Sequence, residues 1–280
     1  MAITPSKADE HFNRYLFREP TDLKDRNGRP ISIWHLEVPD DCPYLSCWAA
    51  AFRQHYRLDS ELEAQIRGTG QTKAQHLRDY VFPGLEKPGP SIRSGDFAEL
   101  LISDYLEVVF KAWVPREKYS IKVSPNESIK GTDVIGFRVA DSAKASSKDT
   151  LFIYEVKAQL TSKKYGSQLQ QAIDDSIKDA GEKYMRHGKT LAAMKLRFSR
   201  AGKEGDVLRI ERFQSPTDNP FSFSSGAVAV LSDKSFDPVG ISTSDASGHN
   251  NKERLELLVV KGAQLMKLVH TIYDKAADEA

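Results

Sequence analysis

The sequence predicts an α/β domain built on a mixed β-sheet. Two observations carry that class. Segments with period-two alternation, or short apolar runs, are interspersed with segments of helical period along the chain instead of being grouped apart. The strand-like segments at 31–38, 133–140, 151–160, 226–232 and 255–262 are short, while the helical stretches at 96–110 and 263–276 are long and amphipathic.

Taken in order, residues 1–30 are polar and charged, with Asn27-Gly28 as a turn signal. ISIWHLEV (31–38) alternates as a strand does. YLSCWAAAFRQHY (44–56) places Leu45, Trp48, Phe52 and Tyr56 at helical spacing, and further helical stretches follow near 59–67 and 72–81. PGLEKPGPSIRSG (83–95) is rich in Pro and Gly and marks the expected boundary between an N-terminal, mainly helical module (1–88) and the main domain (89–280). In the main domain DFAELLISDYLEVVF (96–110) is a helix, and YSIKVSP (119–125), DVIGFRVA (133–140) and LFIYEVKAQL (151–160) are strands. A long polar helix follows over 165–187, and another over 189–198. VLRIERF (207–213), GAVAVLS (226–232) and LELLVVKG (255–262) are further strands, and the chain closes on an amphipathic helix at 263–276.

Composition sets limits on function. The 280 residues are 40% hydrophobic and 28% charged, an ordinary soluble globular balance, and the net charge of +1 does not announce a nucleic-acid partner. No run of 18 apolar residues exists and MAITPSKADEHFNRYLF has no apolar signal core, which predicts a cytoplasmic protein with no membrane partner. Cys42 and Cys47 are too few for a disulfide framework. Their spacing from His35 and His55 is irregular for zinc, so Cys47, beside Trp48 and three alanines, reads as a core thiol.

The chemistry centres on LFIYEVKAQL. Side chains alternate across a strand, so Phe152, Tyr154, Val156, Ala158 and Leu160 share an apolar face. Glu155 and Lys157 point together from the other face. Charges beside a buried strand are costly unless paired or bound to metal. Glu-x-Lys alone is a common pattern, but Asp133 opens a strand-like segment 22 residues before Glu155, a gap that suits two adjacent antiparallel strands. Asp133 then stands beside Glu155 and Lys157 at one sheet end. Two carboxylates and the Val156 carbonyl make an oxygen-rich site suited to Mg²⁺ or Mn²⁺, and Lys157 supplies a cation for a phosphate.

GTD at 131–133 followed by EVK at 155–157 resembles the PD-(D/E)XK nuclease superfamily. That resemblance implies a restriction-endonuclease-like core, a four-stranded mixed sheet flanked by helices with the catalytic hairpin at its centre. It implies Asp133, Glu155 and Lys157 as catalytic residues, with metal held by Asp133, Glu155 and Val156. The superfamily often adds an acidic residue from the preceding helix, and Glu99 fits that place. Asp96 as N-cap with Glu99 three residues on is equally a capping box. Relatives also carry a Gln on the helix after the lysine strand. Gln168 is the candidate, at the head of a polar stripe formed with Gln171, Asp175 and Lys178.

RSGDFAELL, GTDVIGF, FIYEVKAQL, the AIDDSIKDA helix and the terminal strand–helix pair together resemble the HamA family, the nuclease subunits of Hachiman anti-phage defence, whose domain the AbpA proteins share. The likeness is best from about 90 to 200. It implies a Mg²⁺-dependent DNA endonuclease, acting on phage and host DNA, restrained and released by a superfamily-2 helicase, HamB. The 1–88 module would contact that helicase.

Residues 161–203 hold ten basic and four acidic residues, a local excess that favours phosphate contact next to the EVK strand. Lys163, Lys164 and Lys178 are the candidates there, with Lys122 and Lys130 extending the patch. No phosphate loop, helicase motif, zinc finger or Ser/His/Asp arrangement is present, so any motor must come from a partner. The alternative to an enzyme is a non-catalytic nucleic-acid-binding scaffold that keeps a nuclease-like fold.

Overall fold

The computed structural model describes residues 8–39, 42–129, 131–142, 144–161, 163–181 and 186–280. Six strands form one mixed sheet: β1 (Leu16–Glu19), β2 (Ile31–Leu36), β3 (Val134–Arg138), β4 (Thr150–Gln159), β5 (Ser222–Ser232) and β6 (Leu255–Gly262). Their order across the sheet is β1-β2-β6-β5-β4-β3. The four inner strands run parallel, and β1 and β3 close the two edges as antiparallel neighbours of β2 and β4. The sheet is thus larger than the four strands expected, and the β3–β4 hairpin stands at one edge instead of at the centre.

Helices cover both faces, which explains why β5 and β6 read as nearly unbroken apolar runs instead of alternating. One face packs against α5 (Gly89–Phe110), α2 (Leu45–Tyr56) and α11 (Leu265–Asp278). The other is covered by α7 (Gln168–Gly181) over the middle of the sheet, and by α8 (Arg186–Arg200) and α9 (Glu204–Glu211) over β3 and β4. The remaining helices are α1 (Ala8–Tyr15), α3 (Asp59–Ile66), α4 (Lys73–His76, running on as a π-helical turn over Leu77–Val81), α6 (Glu117–Ser120) and α10 (Pro238–Ser242). Where β5 pairs with β4, Gly226 stands opposite Tyr154, and a Cβ on it would lie 2.2 Å from the Tyr154 ring, so only glycine fits there. Among the described residues, no helix is long and apolar enough to cross a membrane.

Four expectations are corrected. Residues 119–125 are not a strand: Tyr119, in the single turn α6, and Lys122 just after it point inward while Ile121 and Val123 face solvent, a spacing of three. VLRIERF is likewise helical, because Val207 and Ile210 are the buried positions and Leu208 is 62% exposed. The Pro/Gly-rich stretch ends early, since α5 starts at Gly89 with a proline in its first turn, where the missing N–H costs nothing. Asp96 is therefore mid-helix and cannot be an N-cap. Cys47 is exposed, and it is Cys42 that is buried, against the Tyr15 hydroxyl.

The boundary expected near 88–89 falls inside one continuous core. Phe12, Trp48, Tyr56 and Leu77 pack in the same cluster as Phe97, Tyr154, Val260 and Tyr273. β2 enters the main sheet by pairing with β6, so the first 88 residues are built into the fold that carries the hairpin.

Candidate active site at the hairpin edge

The antiparallel register pairs Val134 with Tyr154, and one step further sets Asp133 opposite Glu155. A hydrogen bond fixes that placement: the Val156 amide donates to Asp133 Oδ2 at 3.0 Å. Phe152, Tyr154 and Val156 enter the cluster on the α5 face, while Leu151 and Ile153 enter the one under α8. Glu155 and Lys157, alternating with the first set, project toward the α7–α8 face. Glu155 is only 1% exposed. Lys157 Nζ lies 3.9 Å from its carboxylate.

A residue from α7 completes this group. Asp175 Oδ2 is 2.7 Å from Lys157 Nζ, and its Oδ1 is 2.7 Å from Lys178 Nζ. Burial pushes the Lys157 ammonium down, but the Asp175 hydrogen bond and the charges of Asp133 and Glu155 outweigh it and hold the group above the ordinary lysine value. Burial raises the Asp175 carboxyl, but the hydrogen bonds from Lys157 and Lys178 bring it below its ordinary value. The site thus keeps a charged ammonium beside a buried carboxylate. Asp175 was visible in the sequence only as one member of a polar stripe. Gln168, at the head of that stripe, turns back on its own loop, its Oε1 accepting from the Gly166 amide at 3.0 Å.

Glu99 occupies a different setting. Its carboxylate is in contact with Lys118 Nζ and accepts from the Tyr119 hydroxyl at 2.7 Å. Lys118 also donates to the Asp133 carbonyl at 2.7 Å, tying α5 to the start of the hairpin. Burial pushes the Glu99 carboxyl up to about 7, with Asp133 and Asp96 adding to the rise and Lys118 opposing it. Glu99 is therefore a helix-interior carboxylate held by two neighbours, and not the N3 residue of a capping box.

The expected phosphate-binding lysines separate. Lys163 and Lys164 are exposed on the connection between β4 and α7, and Lys178 is exposed but paired with Asp175. Lys122 is buried in an ion pair with Asp96, beside the Tyr56 ring, because the α6 turn directs it inward; it cannot reach a ligand at the surface. Lys130 lies outside the described residues. Next to Asp133 a cleft of about 700 Å³ opens between α8 and residues 114–135, with Lys118, Thr132, Lys189, Thr190 and Arg197 on its walls.

The donor set fits a hard divalent cation. Asp133, Glu155 and the Val156 carbonyl are oxygen donors on two neighbouring strands, and Mg²⁺ binds through one or two carboxylates while keeping several waters. Among the described residues no three His, Cys, Asp or Glu side chains form a metal cluster.

Comparison with known proteins yields one family, HamA, which matches residues 10–276. No curated protein matches the chain.

Proposed function

The chain belongs to the HamA family, and on that premise we propose that it is a Mg²⁺-dependent deoxyribonuclease, the cytoplasmic effector of a Hachiman-type anti-phage system. The observation that carries the proposal is the hydrogen bond from the Val156 amide to Asp133, which brings two carboxylates and Lys157 together across the hairpin.

In this reading Asp133, Glu155 and the Val156 carbonyl would hold the ion, which supplies a bound water of lowered pKa and a clamp for a phosphate oxygen. Asp133 is oriented by the Val156 amide, so its second oxygen is left for a ligand. Glu155 sits away from bulk water, where electrostatic interactions are strongest. Lys157, kept charged by Asp175, places its ammonium where negative charge grows on the phosphorane. Glu99 stays with Lys118 and Tyr119 and supports the hairpin through the Asp133 carbonyl.

The chain has no phosphate loop or helicase motif. DNA unwinding and control of the nuclease belong to a superfamily-2 helicase partner, HamB, with phage and host DNA as substrates. The test is degradation of plasmid DNA in Mg²⁺ or Mn²⁺ by the chain, alone and with its helicase. Glu155→Ala is expected to abolish cleavage in both settings, and Lys157→Ala to lower it by about 10²–10³-fold. Cutting by both variants at the wild-type rate would contradict the proposal.

A further inference from the structure

The cleft beside Asp133 takes no part in the chemistry proposed above, although Asp133, Val134 and Ile135 at the start of the hairpin line it. Its walls are unequal in charge use. Lys118 is already committed to Glu99 and to the Asp133 carbonyl, and Arg116 to Asp104 and Glu107. Lys189 and Arg197 come from α8, two turns apart, and among the described residues neither forms an ion pair. Lys189 is exposed and Arg197 is half-buried, with Glu117 as the acidic charge acting on it. Thr132 and Thr190 add hydroxyls to the same walls.

The tract after β4 is less suited to a phosphate chain. Lys178 already satisfies Asp175, which also binds Lys157, so drawing Lys178 away would disturb the site it is meant to serve. Lys163 and Lys164 stand on the loop beyond Gln159, whose side chain donates to the Lys164 carbonyl at 2.8 Å and ties the loop back to the sheet. Lys122 is spent inside the fold.

We propose that the α8 cleft is the binding site for the phosphodiester backbone of DNA, with Lys189 and Arg197 as its phosphate-binding cations, and that the strand reaches Asp133 along this cleft instead of along the Lys163–Lys164 loop. The proposal rests on the nuclease reading for its ligand, but its location comes from the cavity and its charges. Cations facing an open cleft bind phosphate without reading sequence, and they release counterions when they do so.

The test is fluorescence anisotropy of labelled single-stranded and duplex oligonucleotides with the full-length chain, in EDTA so that no cleavage occurs, over a range of salt. Lys189→Ala/Arg197→Ala is compared with Lys163→Ala/Lys164→Ala. The cleft variant is expected to bind roughly tenfold more weakly. Because two phosphates go unneutralised in it, its log–log salt slope should be shallower by about 1.4 on a single strand or about 1.8 on a duplex. A loss on either form supports the cleft, and the form with the larger loss is the one it holds. If the double variant unfolds, Lys189→Ala alone, at an exposed position, carries the test with half the slope change. Wild-type affinity in the cleft variants, a larger loss in the Lys163/Lys164 variant, or no binding by the wild type overturns the proposal. The nuclease reading is judged separately, by Glu155→Ala in the cleavage assay: cleavage lost there with DNA binding unchanged in the cleft variant would remove the cleft and leave the nuclease.

Discussion

Two lysine–carboxylate groups flank the start of β3, and they have been put to different uses. On the α5 side, Glu99 meets Lys118 and Tyr119, while Asp96 meets Lys122 and the Tyr56 hydroxyl. These carboxylates are held by neighbours, inside the core shared with α2 and α11. On the α7 side, Glu155 has Lys157 at 3.9 Å, and the tighter partner of Lys157 is Asp175 at 2.7 Å. The first group closes on itself and locks elements together. The second holds its cation on an outside residue, Asp175, and under the nuclease reading its carboxylates at the sheet end would be the metal ligands. Residue type does not separate the two; what separates them is that the tighter partner of Lys157 is a carboxylate from another helix, Asp175, and not the Glu155 of its own strand.

That contrast can be broken by experiment. Lys157→Ala should lower the cleavage rate by about 10²–10³-fold, the cost of losing one group that stabilises transition-state charge, with little change in stability. Lys122→Ala should do the reverse. Leaving Asp96 buried without its cation should cost about 3–5 kcal/mol of unfolding free energy, measured by denaturant titration, while cleavage by the folded variant stays near wild type. Comparable stability losses in both variants would erase the distinction.

Asp175→Asn sharpens it further. Asp175 acts through Lys157, so its loss should reduce cleavage by about tenfold. Asp175 holds the Lys157 ammonium above its ordinary value, so removing that anion should move the alkaline limb of the pH–rate profile to lower pH. Asp175→Glu should restore much of both. A rate loss with an unmoved alkaline limb would reduce Asp175 to a packing role.

The smallest effect concerns Glu99. Its folded pKa of about 7 stands above the ordinary carboxyl value of 4.5. The fold therefore favours its protonated form, and the associated stability is present below pH 4.5 and lost as pH rises through about 7. Gln imitates the protonated side chain at every pH. The Tm of Glu99→Gln relative to wild type should rise by a few degrees across that window, measured by calorimetry. A difference that stays flat with pH would show that Lys118 keeps Glu99 ionised throughout.

How far the sequence reaches follows from the same contrast. The hairpin was legible because Asp133, Glu155 and Lys157 combine a strand alternation with a separation of 22 residues, and those local rules hold at a paired edge. Strands β2, β5 and β6 and helices α2, α5 and α11 were legible from periodicity for the same reason. YSIKVSP and VLRIERF were not, because seven mixed residues fit period two or period three equally well, and only burial decided. The four-residue β1 gave no pattern to read. Asp175 could not be distinguished from Gln168 and Gln171 on its stripe, since which member of a helix face meets Lys157 depends on how α7 crosses β4. Lys122 looked like a surface cation for a related reason: nothing nearby in the chain announces Asp96 as its partner.

The most direct measurement of the central claim is Mn²⁺ binding, followed by titration calorimetry and by electron paramagnetic resonance, on the wild type and on Asp133→Asn, Glu155→Gln and Glu99→Gln. The account predicts that Asp133→Asn and Glu155→Gln abolish binding, whereas Glu99→Gln retains it. Unchanged binding in Asp133→Asn and Glu155→Gln, with loss in Glu99→Gln, would place the ion on the α5 side and contradict the account.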